Sequence, residues 1–399
     1  METASEENKS STVGAEINKM KEERISRDRF SDLPAELLHR IFSLLPFKSI
    51  VQTVLLSKHW NHLSLWRSHP HLDFSRLSRN YMAMDVIPTV LSRRQPDFNI
   101  TTFRLSGNVS APCLQDCIDR VTKQRIEQLE LDVNTGCCFD LPPSVFYCNT
   151  LRVLELNIGV KSNMPGYGFP NRVPGPVLFS SRNLPLLRKL CLKDCRGMYD
   201  LTINIPGLEI LKLDGLRLKG LDISGTGLLE LQVTRCLRQK SCAKILAPNL
   251  RRLYWEDTFN VKCATESFED LNTGSVCFPS NPPNKATLQS AAAFISALCF
   301  ARSLSVRSHV LKTLSKIDSE GGLPCSFNNL MTLELHTKNP EDEIAGIICL
   351  IRSSPILRTI TITAKSCYGT RNEEWREKQY WISEIQKLKS IEFHLKVAR

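Results

Sequence analysis

The chain has 399 residues, of which 42% are hydrophobic and 23% are charged, and these are values typical of a globular protein with a sizeable core. Its length predicts two or three domains or one repeat array. The net charge of +11 favours acidic partners or weak contact with nucleic acid. Because the longest basic pairs are short and no Lys/Arg run alternates with aromatic residues, we do not predict a nucleic-acid-binding protein.

Four further classes are not expected from the sequence. The longest apolar stretch, residues 291–301, has eleven residues, too few for a membrane helix, and the N-terminus lacks the apolar core of a secretory signal. The 15 cysteines are an odd number, which favours reduced thiols over a disulfide framework. Cys113 and Cys117, like Cys191 and Cys195, are four residues apart, but no second Cys or His pair follows either of them at zinc-finger spacing. We therefore predict neither a metal nor another cofactor. We expect a protein of the nucleus, the cytoplasm or both.

Taken in chain order, residues 1–26 have the polar composition of a disordered tail. A helical segment then begins, with Asp32 predicted as the N-cap and Pro34 in the first turn. One broad apolar helix face follows, ended by Pro46; it consists of Leu37, Leu38, Ile41, Leu44 and Leu45. A second helix carries Val54, and Ser57 can cap a third that contains Trp60. Such a small unit is expected to share apolar surface with a partner.

The run from Asp28 to Leu38, followed by Leu44-Leu45-Pro46 and by Val54-Leu55-Leu56-Ser57-Lys58-His59-Trp60, resembles the F-box of plant F-box proteins. That resemblance implies a three-helix F-box at residues 27–75 that binds the Skp-type adaptor of a cullin-RING ubiquitin ligase. The implied adaptor-binding residues are Leu33, Pro34, Leu37, Ile41, Leu44, Leu45, Pro46, Val54, Ser57 and Trp60. One departure is His59, where plant members commonly have Arg.

The remainder, residues 76–399, is rich in the pattern Leu-x-x-Leu-x-Leu, which begins at Leu151, Leu187, Leu208, Leu213 and Leu330. The central residues Leu190, Leu211, Leu231 and Leu253 recur at 20–22 positions, within the range of leucine-rich repeats. Such repeats predict one short parallel strand each, with alternate leucines in a shared core. Asn134, Cys195 and Cys236 fall at the turn position of these repeats and are predicted to be structural.

The predicted fold class is therefore α/β: an F-box followed by an irregular leucine-rich-repeat solenoid with convex helices. Helices are predicted at residues 287–299, from Pro340 after an Asn339 cap, and at residues 374–388. Proline-rich, polar segments at residues 157–180 and 257–285 predict loop insertions, which can be binding loops or tolerated insertions. The order of F-box and repeats resembles plant F-box/leucine-rich-repeat proteins along nearly the whole chain. Many of these end in a module named FBD, which the sequence leaves open here.

No nucleophile with a base, no carboxylate pair and no phosphate loop stands out, so we predict no catalytic residue and no enzyme. The expected function is that of a substrate-recognition subunit of an SCF-type ligase, with partners comprising the adaptor, through it a cullin, and a target protein. The alternatives are a protein-binding scaffold outside any ligase and a basic protein associated with nucleic acid. The sequence does not indicate the target, or whether a small molecule takes part.

Overall fold

The computed structural model describes residues 33–56, 67, 69–75, 83–94, 99–136, 139–159, 179–195, 198–258, 261–263, 268–280, 284–319, 321–338, 340–365 and 392–398. The predicted tail, Ser57, Trp60, the third F-box helix and the predicted helix at 374–388 lie outside these residues. The described helices are α1 (Ala35–Ser43), α2 (Phe47–Leu56), α3 (Ala83–Ser92), α4 (Ala111–Thr122), α5 (Lys285–Ser296), α6 (Ser308–Ser319) and α7 (Pro340–Arg352).

Parallel strands dominate the described chain and form two sheets. The larger, main sheet contains β1 (His71–Phe74), β2 (Thr102–Asn108), β3 (Gln128–Asn134), β4 (Val153–Gly159), β6 (Lys189–Lys193), β8 (Ile210–Asp214), β10 (Glu230–Thr234), β12 (Arg252–Glu256), β14 (Thr273–Cys277), β15 (Ser303–Arg307), β16 (Thr332–Thr337), β17 (Thr359–Lys365) and β18 (Glu392–Ala398), in that order. The smaller, outer sheet contains β5 (Phe179–Ser180), β7 (Asp200–Asn204), β9 (Leu218–Ser224), β11 (Leu237–Leu246) and β13 (Val261–Cys263). The protein is thus a mixed α/β protein with parallel sheets.

The main sheet places the predicted strand centres side by side. Leu190 pairs with Leu211, Leu211 with Leu231, and Leu231 with Leu253, each directly opposite the next. All four side chains are buried, because alternate residues of a strand point to one face and here that face meets the core. The 20–22-residue spacing is therefore the chain length between neighbouring strands.

The segment predicted as a loop at residues 257–285 differs from expectation, because it supplies one strand to each sheet, β13 and β14. β14 has Gly274 where its neighbours β12 and β15 have Leu253 and Leu304. A Cβ built on Gly274 would lie 3.1 Å from Leu304 Cδ1, so the neighbouring leucine fills the space of the missing side chain. The residues between 160 and 178 in the other predicted loop lie outside the described residues.

The outer sheet was not predicted from sequence. Its strands follow main-sheet strands after tight turns, in which Asp194, Arg217 and Arg235 have positive φ values of 51°, 61° and 49°. Buried aliphatic residues from both sheets join one hydrophobic cluster, including Leu211 from the main sheet and Leu221 from the outer sheet. The two sheets therefore cover opposite sides of one core and present opposite faces to solvent.

Candidate functional site

The first two helices pack on each other through a small core of their own. Leu38, Phe42 and Ile50 are buried together, and Leu33 and Leu45 pack against them. α1 begins at Ala35 with Pro34 at the N-cap position and without a side-chain cap, which differs from the predicted Asp32 cap with Pro34 in the first turn. The helix ends at Ser43. The amides of Ser49 and Ile50 donate to the Pro46 carbonyl, so α2 begins directly after Pro46.

A second set of apolar residues, on α1 and at its two ends, does not belong to this small core. Leu37 is 48% exposed and Leu44 is 83% exposed, while Ile41 is half-buried. Pro34 and Pro46 are also exposed. We call Pro34, Leu37, Ile41, Leu44 and Pro46 the apolar outer face. A helix that is apolar on both sides usually has a second packing partner.

The predicted adaptor-binding residues are thus divided by the structure. Five form the apolar outer face, whereas Leu33 and Leu45 are half-buried against the small core of Leu38, Phe42 and Ile50. Val54 lies in α2, but its side chain, like Ser57 and Trp60, lies outside the described residues. The sequence placed Leu38 on the same face as Leu37; the structure turns Leu38 inward, because only one side of α1 can meet Ile50. Phe42 shares that inner position.

α2 is joined to the main sheet by a cluster of rings. The Phe47 ring stacks on His69, with 6.1 Å between ring centroids, and meets the edge of Phe74 at 5.3 Å. Phe74 in turn contacts Phe103 in β2 at 5.8 Å. Phe47 is buried and belongs to the main core, not to the small core of the two helices. This ring cluster therefore fixes the apolar outer face relative to the sheet.

Two basic side chains are buried beside the ring cluster. Arg94 Nη1 donates to the His69 carbonyl at 2.6 Å. Burial lowers the pKa of His69 to about 4, and the neighbouring His71 and Arg94 act in the same direction. Burial also lowers the pKa of Arg94 to about 10. The imidazole of His69 is consequently neutral at neutral pH and packs as an aromatic ring.

The main sheet has one face open to solvent, formed by residues that alternate with the buried leucines. Ion pairs run across neighbouring strands of this open face: Arg104 to Glu130 at 2.8 Å, Lys189 to Glu155 at 2.6 Å, and Lys212 and Arg252 to Glu230 at 2.7 and 2.6 Å. Hydrogen bonds from Lys212, then Arg252, lower the pKa of Glu230. The open face is therefore a polar surface whose described charges are largely paired.

A groove of about 810 Å³ separates the first turn of α2 from this open face. Its walls come from Pro46, Phe47, Lys48 and Ser49 on the helix side and, on the sheet side, from β1 with the residue that follows it and from β2, β3, β4 and β6. The volume lies within the range of about 300–1,000 Å³ that ligand pockets span. The groove is therefore large enough for a ligand and lies next to the ring cluster.

The predicted turn cysteines have structural surroundings. Cys236 is buried, and its thiol donates to the Thr234 carbonyl at 3.2 Å. The Cys195 thiol donates to the Lys193 carbonyl at 3.3 Å. Burial raises the pKa of both thiols to about 12, so neither is a nucleophilic thiolate at neutral pH.

Residues 30–71 match the F-box domain family, which covers α1, α2 and the start of β1. The N-terminal part of the chain is therefore similar to an F-box domain. The whole chain is 28% identical over 418 residues to an Arabidopsis thaliana protein provisionally named F-box/FBD/LRR-repeat protein, covering 92% of the chain and 82% of that relative. It is 25% identical to an FBD-associated F-box protein of the same plant, covering 88% and 78%. An F-box/LRR-repeat protein, also from Arabidopsis, is 24% identical and covers 84% and 91%. The resemblance to plant F-box/leucine-rich-repeat proteins is therefore confirmed.

None of the described helices is long and apolar enough to cross a membrane. The described residues contain no cluster of three or more His, Cys, Asp or Glu side chains that could bind a metal ion.

Proposed function

We propose that the protein is a non-catalytic substrate-recognition subunit of an SCF-type cullin-RING ubiquitin ligase. F-box domains generally bind Skp-type adaptors, and the observation that carries the proposal is the apolar outer face. Leaving Leu37 and Leu44 exposed to this extent forgoes roughly 2–4 kcal/mol, from about 1.5–3 kcal/mol for each fully buried leucine. An adaptor that covers both side chains recovers that free energy on binding.

In this proposal the F-box includes a third helix after α2, and the parallel sheets form a leucine-rich-repeat solenoid that holds the target protein. The order of the main sheet supports the solenoid, because its strands follow one another in chain order with outer-sheet strands between some of them. The ring cluster around Phe47 supports a fixed distance between adaptor and target. A receptor of this kind contributes proximity, while other subunits supply ubiquitin transfer.

The test is capture of a purified Skp-type adaptor by the full chain. Leu44→Glu places a charge on the most exposed leucine of the apolar outer face and is expected to weaken adaptor binding at least tenfold, because burying an unpaired carboxylate costs several kcal/mol. The matched control is Leu186→Glu, since Leu186 is 44% exposed, lies before β6 and does not belong to the apolar outer face. It should leave binding unchanged.

Two results would count against the proposal. If Leu44→Glu and wild type bind the adaptor equally, the apolar outer face is not the adaptor site. If the wild-type chain binds no adaptor at all, the ligase role is wrong and the scaffold alternative takes its place.

A further inference from the structure

The outer sheet carries a large share of the positive charge of the chain. Residues 199–204, 215–224 and 235–246 together with β13 contain two acidic residues, Asp200 and Asp222, and seven basic ones: Arg217, Lys219, Arg235, Arg238, Lys240, Lys244 and Lys262. Their excess of five is almost half of the net charge of +11. The strands of the outer sheet and the turns before them are therefore rich in basic residues.

At one end of this sheet, two cations converge on one exposed tyrosine. Tyr199 is 57% exposed, with Lys219 Nζ at 5.3 Å and Arg238 Cζ at 5.5 Å from its ring centroid. Backbone pairing holds them in place, because the Lys219 amide donates to the Tyr199 carbonyl at 2.6 Å. Arg238 Nε donates to the Arg217 carbonyl at 2.9 Å. We call Tyr199, Arg217, Lys219 and Arg238 the basic cluster.

The cations of the basic cluster are not neutralised by the described part of the protein. Arg235 pairs with Asp214 at 2.9 Å, but no described carboxylate lies within 4.0 Å of the charged atoms of Arg217, Lys219 or Arg238. The Asp200 carboxylate is directed instead at the backbone of Gly220, where a Cβ would lie 2.7 Å from its Oδ1. Like charges held together without a counter-charge repel, and a bound anion relieves that repulsion.

The strand register extends the positive surface beyond the cluster. Lys244 in β11 is exposed and lies directly opposite Lys262 in β13, with Asp222 of β9 on its other side. Leu246, two residues further along β11, is 47% exposed. A partner along this sheet would thus meet Lys244 beyond the basic cluster, with Leu246 as an apolar contact further along the same strand.

We propose that the outer sheet binds an acidic segment of a partner protein, with the basic cluster as its anchor. A single-stranded nucleic acid fits less well, because such binding uses several exposed aromatic rings for base stacking. Tyr199 is the single aromatic side chain of the basic cluster, and its ring already contacts two cations. The proposed surface is separate from the apolar outer face and from the groove, so it adds a second protein-binding site to the proposed receptor.

The experiment measures binding of a fluorescent 12-residue peptide of alternating Glu and Ser to the full chain by anisotropy. Lys219→Glu with Arg238→Glu is expected to weaken binding about tenfold or more, because each reversal replaces an attraction with a repulsion. Lys285→Glu with Lys316→Glu changes the net charge by the same amount at exposed sites on α5 and α6 and should retain most of the binding. The charge-preserving pair Lys219→Arg with Arg238→Lys should also bind.

All four substituted side chains are exposed, so each variant should fold. The thermal melting curve of each variant checks this. Equal losses in the two charge-reversed pairs would overturn the proposal in favour of a net-charge effect. A 12-nucleotide single-stranded DNA that binds more tightly than the peptide, and loses affinity on Lys219→Glu with Arg238→Glu, would overturn the choice of a protein partner. Adaptor capture by the same variant should be unchanged, which separates this site from the proposed ligase role.

Discussion

Replacing Phe47 by alanine should detach the first two helices from the sheet. Phe47 is only 5% exposed, and its ring contacts His69 and Phe74, so its removal leaves a cavity between α2 and β1. Truncation of a buried phenylalanine costs about 3–5 kcal/mol. The inner cluster of Leu38, Phe42 and Ile50 is small, and a unit of this size is not expected to hold its position without that contact.

The lost packing free energy shifts the equilibrium between the docked and the detached forms of α1 and α2. With a factor of ten for about 1.4 kcal/mol, detached forms of α1 and α2 become roughly 10² to 4 × 10³ times more populated. Hydrogen exchange read by mass spectrometry should therefore show faster exchange of amides in α1, α2 and β1, with unchanged protection in β8, β10 and β12. Adaptor capture should persist, because the apolar outer face does not include Phe47.

A buried phenylalanine elsewhere supplies the matched control. Phe294 in α5 is 1% exposed and meets the edge of Trp255 at 5.5 Å, so Phe294→Ala should loosen α5 and β12 and leave α1 and α2 protected. The reasoning is refuted if Phe47→Ala leaves the exchange of α1 and α2 unchanged. It is refuted equally if both variants raise exchange throughout the chain to the same degree.

Two further predictions concern stability. His69 has a pKa near 6.5 in the unfolded chain, whereas burial keeps it near 4 in the folded protein. As pH falls from 7 to 5, the unfolded chain therefore binds a proton that the folded protein does not, and we expect the free energy of unfolding from urea titrations to fall by about 1–2 kcal/mol. In His69→Gln the free energy of unfolding should depend less steeply on pH. A Cβ on Gly346 of α7 would overlap the Leu311 carbonyl of α6, so Gly346→Ala should destabilise by about 1–3 kcal/mol despite its better helix propensity. Gly207→Ala, with no atom within 4 Å of its Cβ, should stay within about 0.5 kcal/mol, and equal melting temperatures for the two variants would contradict the close packing of these helices.

The helix predictions show how far periodicity reaches. Asn284 caps α5 through the Thr287 amide, so the helix begins at Lys285, two residues before the predicted start, and ends at Ser296. The helix from Pro340 is present as α7. Periodicity identifies a helix reliably, but its first residue depends on which side chain reaches the free amides, and that is a local geometric outcome.

The apolar outer face shows a different limit. The sequence supplied the apolar residues of α1 and, by resemblance, the expectation that they bind an adaptor. It could not separate Leu37 from Leu38, because neighbouring residues on a broad apolar stripe are equally hydrophobic. Their separation depends on where α2 crosses α1, and Ile50 decides it by packing on the Leu38 side.

What the sequence determined by itself is the family resemblance and the main sheet, since a leucine every 20–22 residues leaves few other ways to bury those side chains. Tertiary structure decided the outer sheet, the place of β14 and the basic cluster. β14 lacks its central leucine, and Leu304 from the next strand fills the gap, so no local pattern marks it. Tyr199, Lys219 and Arg238 are scattered over 40 residues of sequence and meet only because parallel pairing sets β7, β9 and β11 side by side.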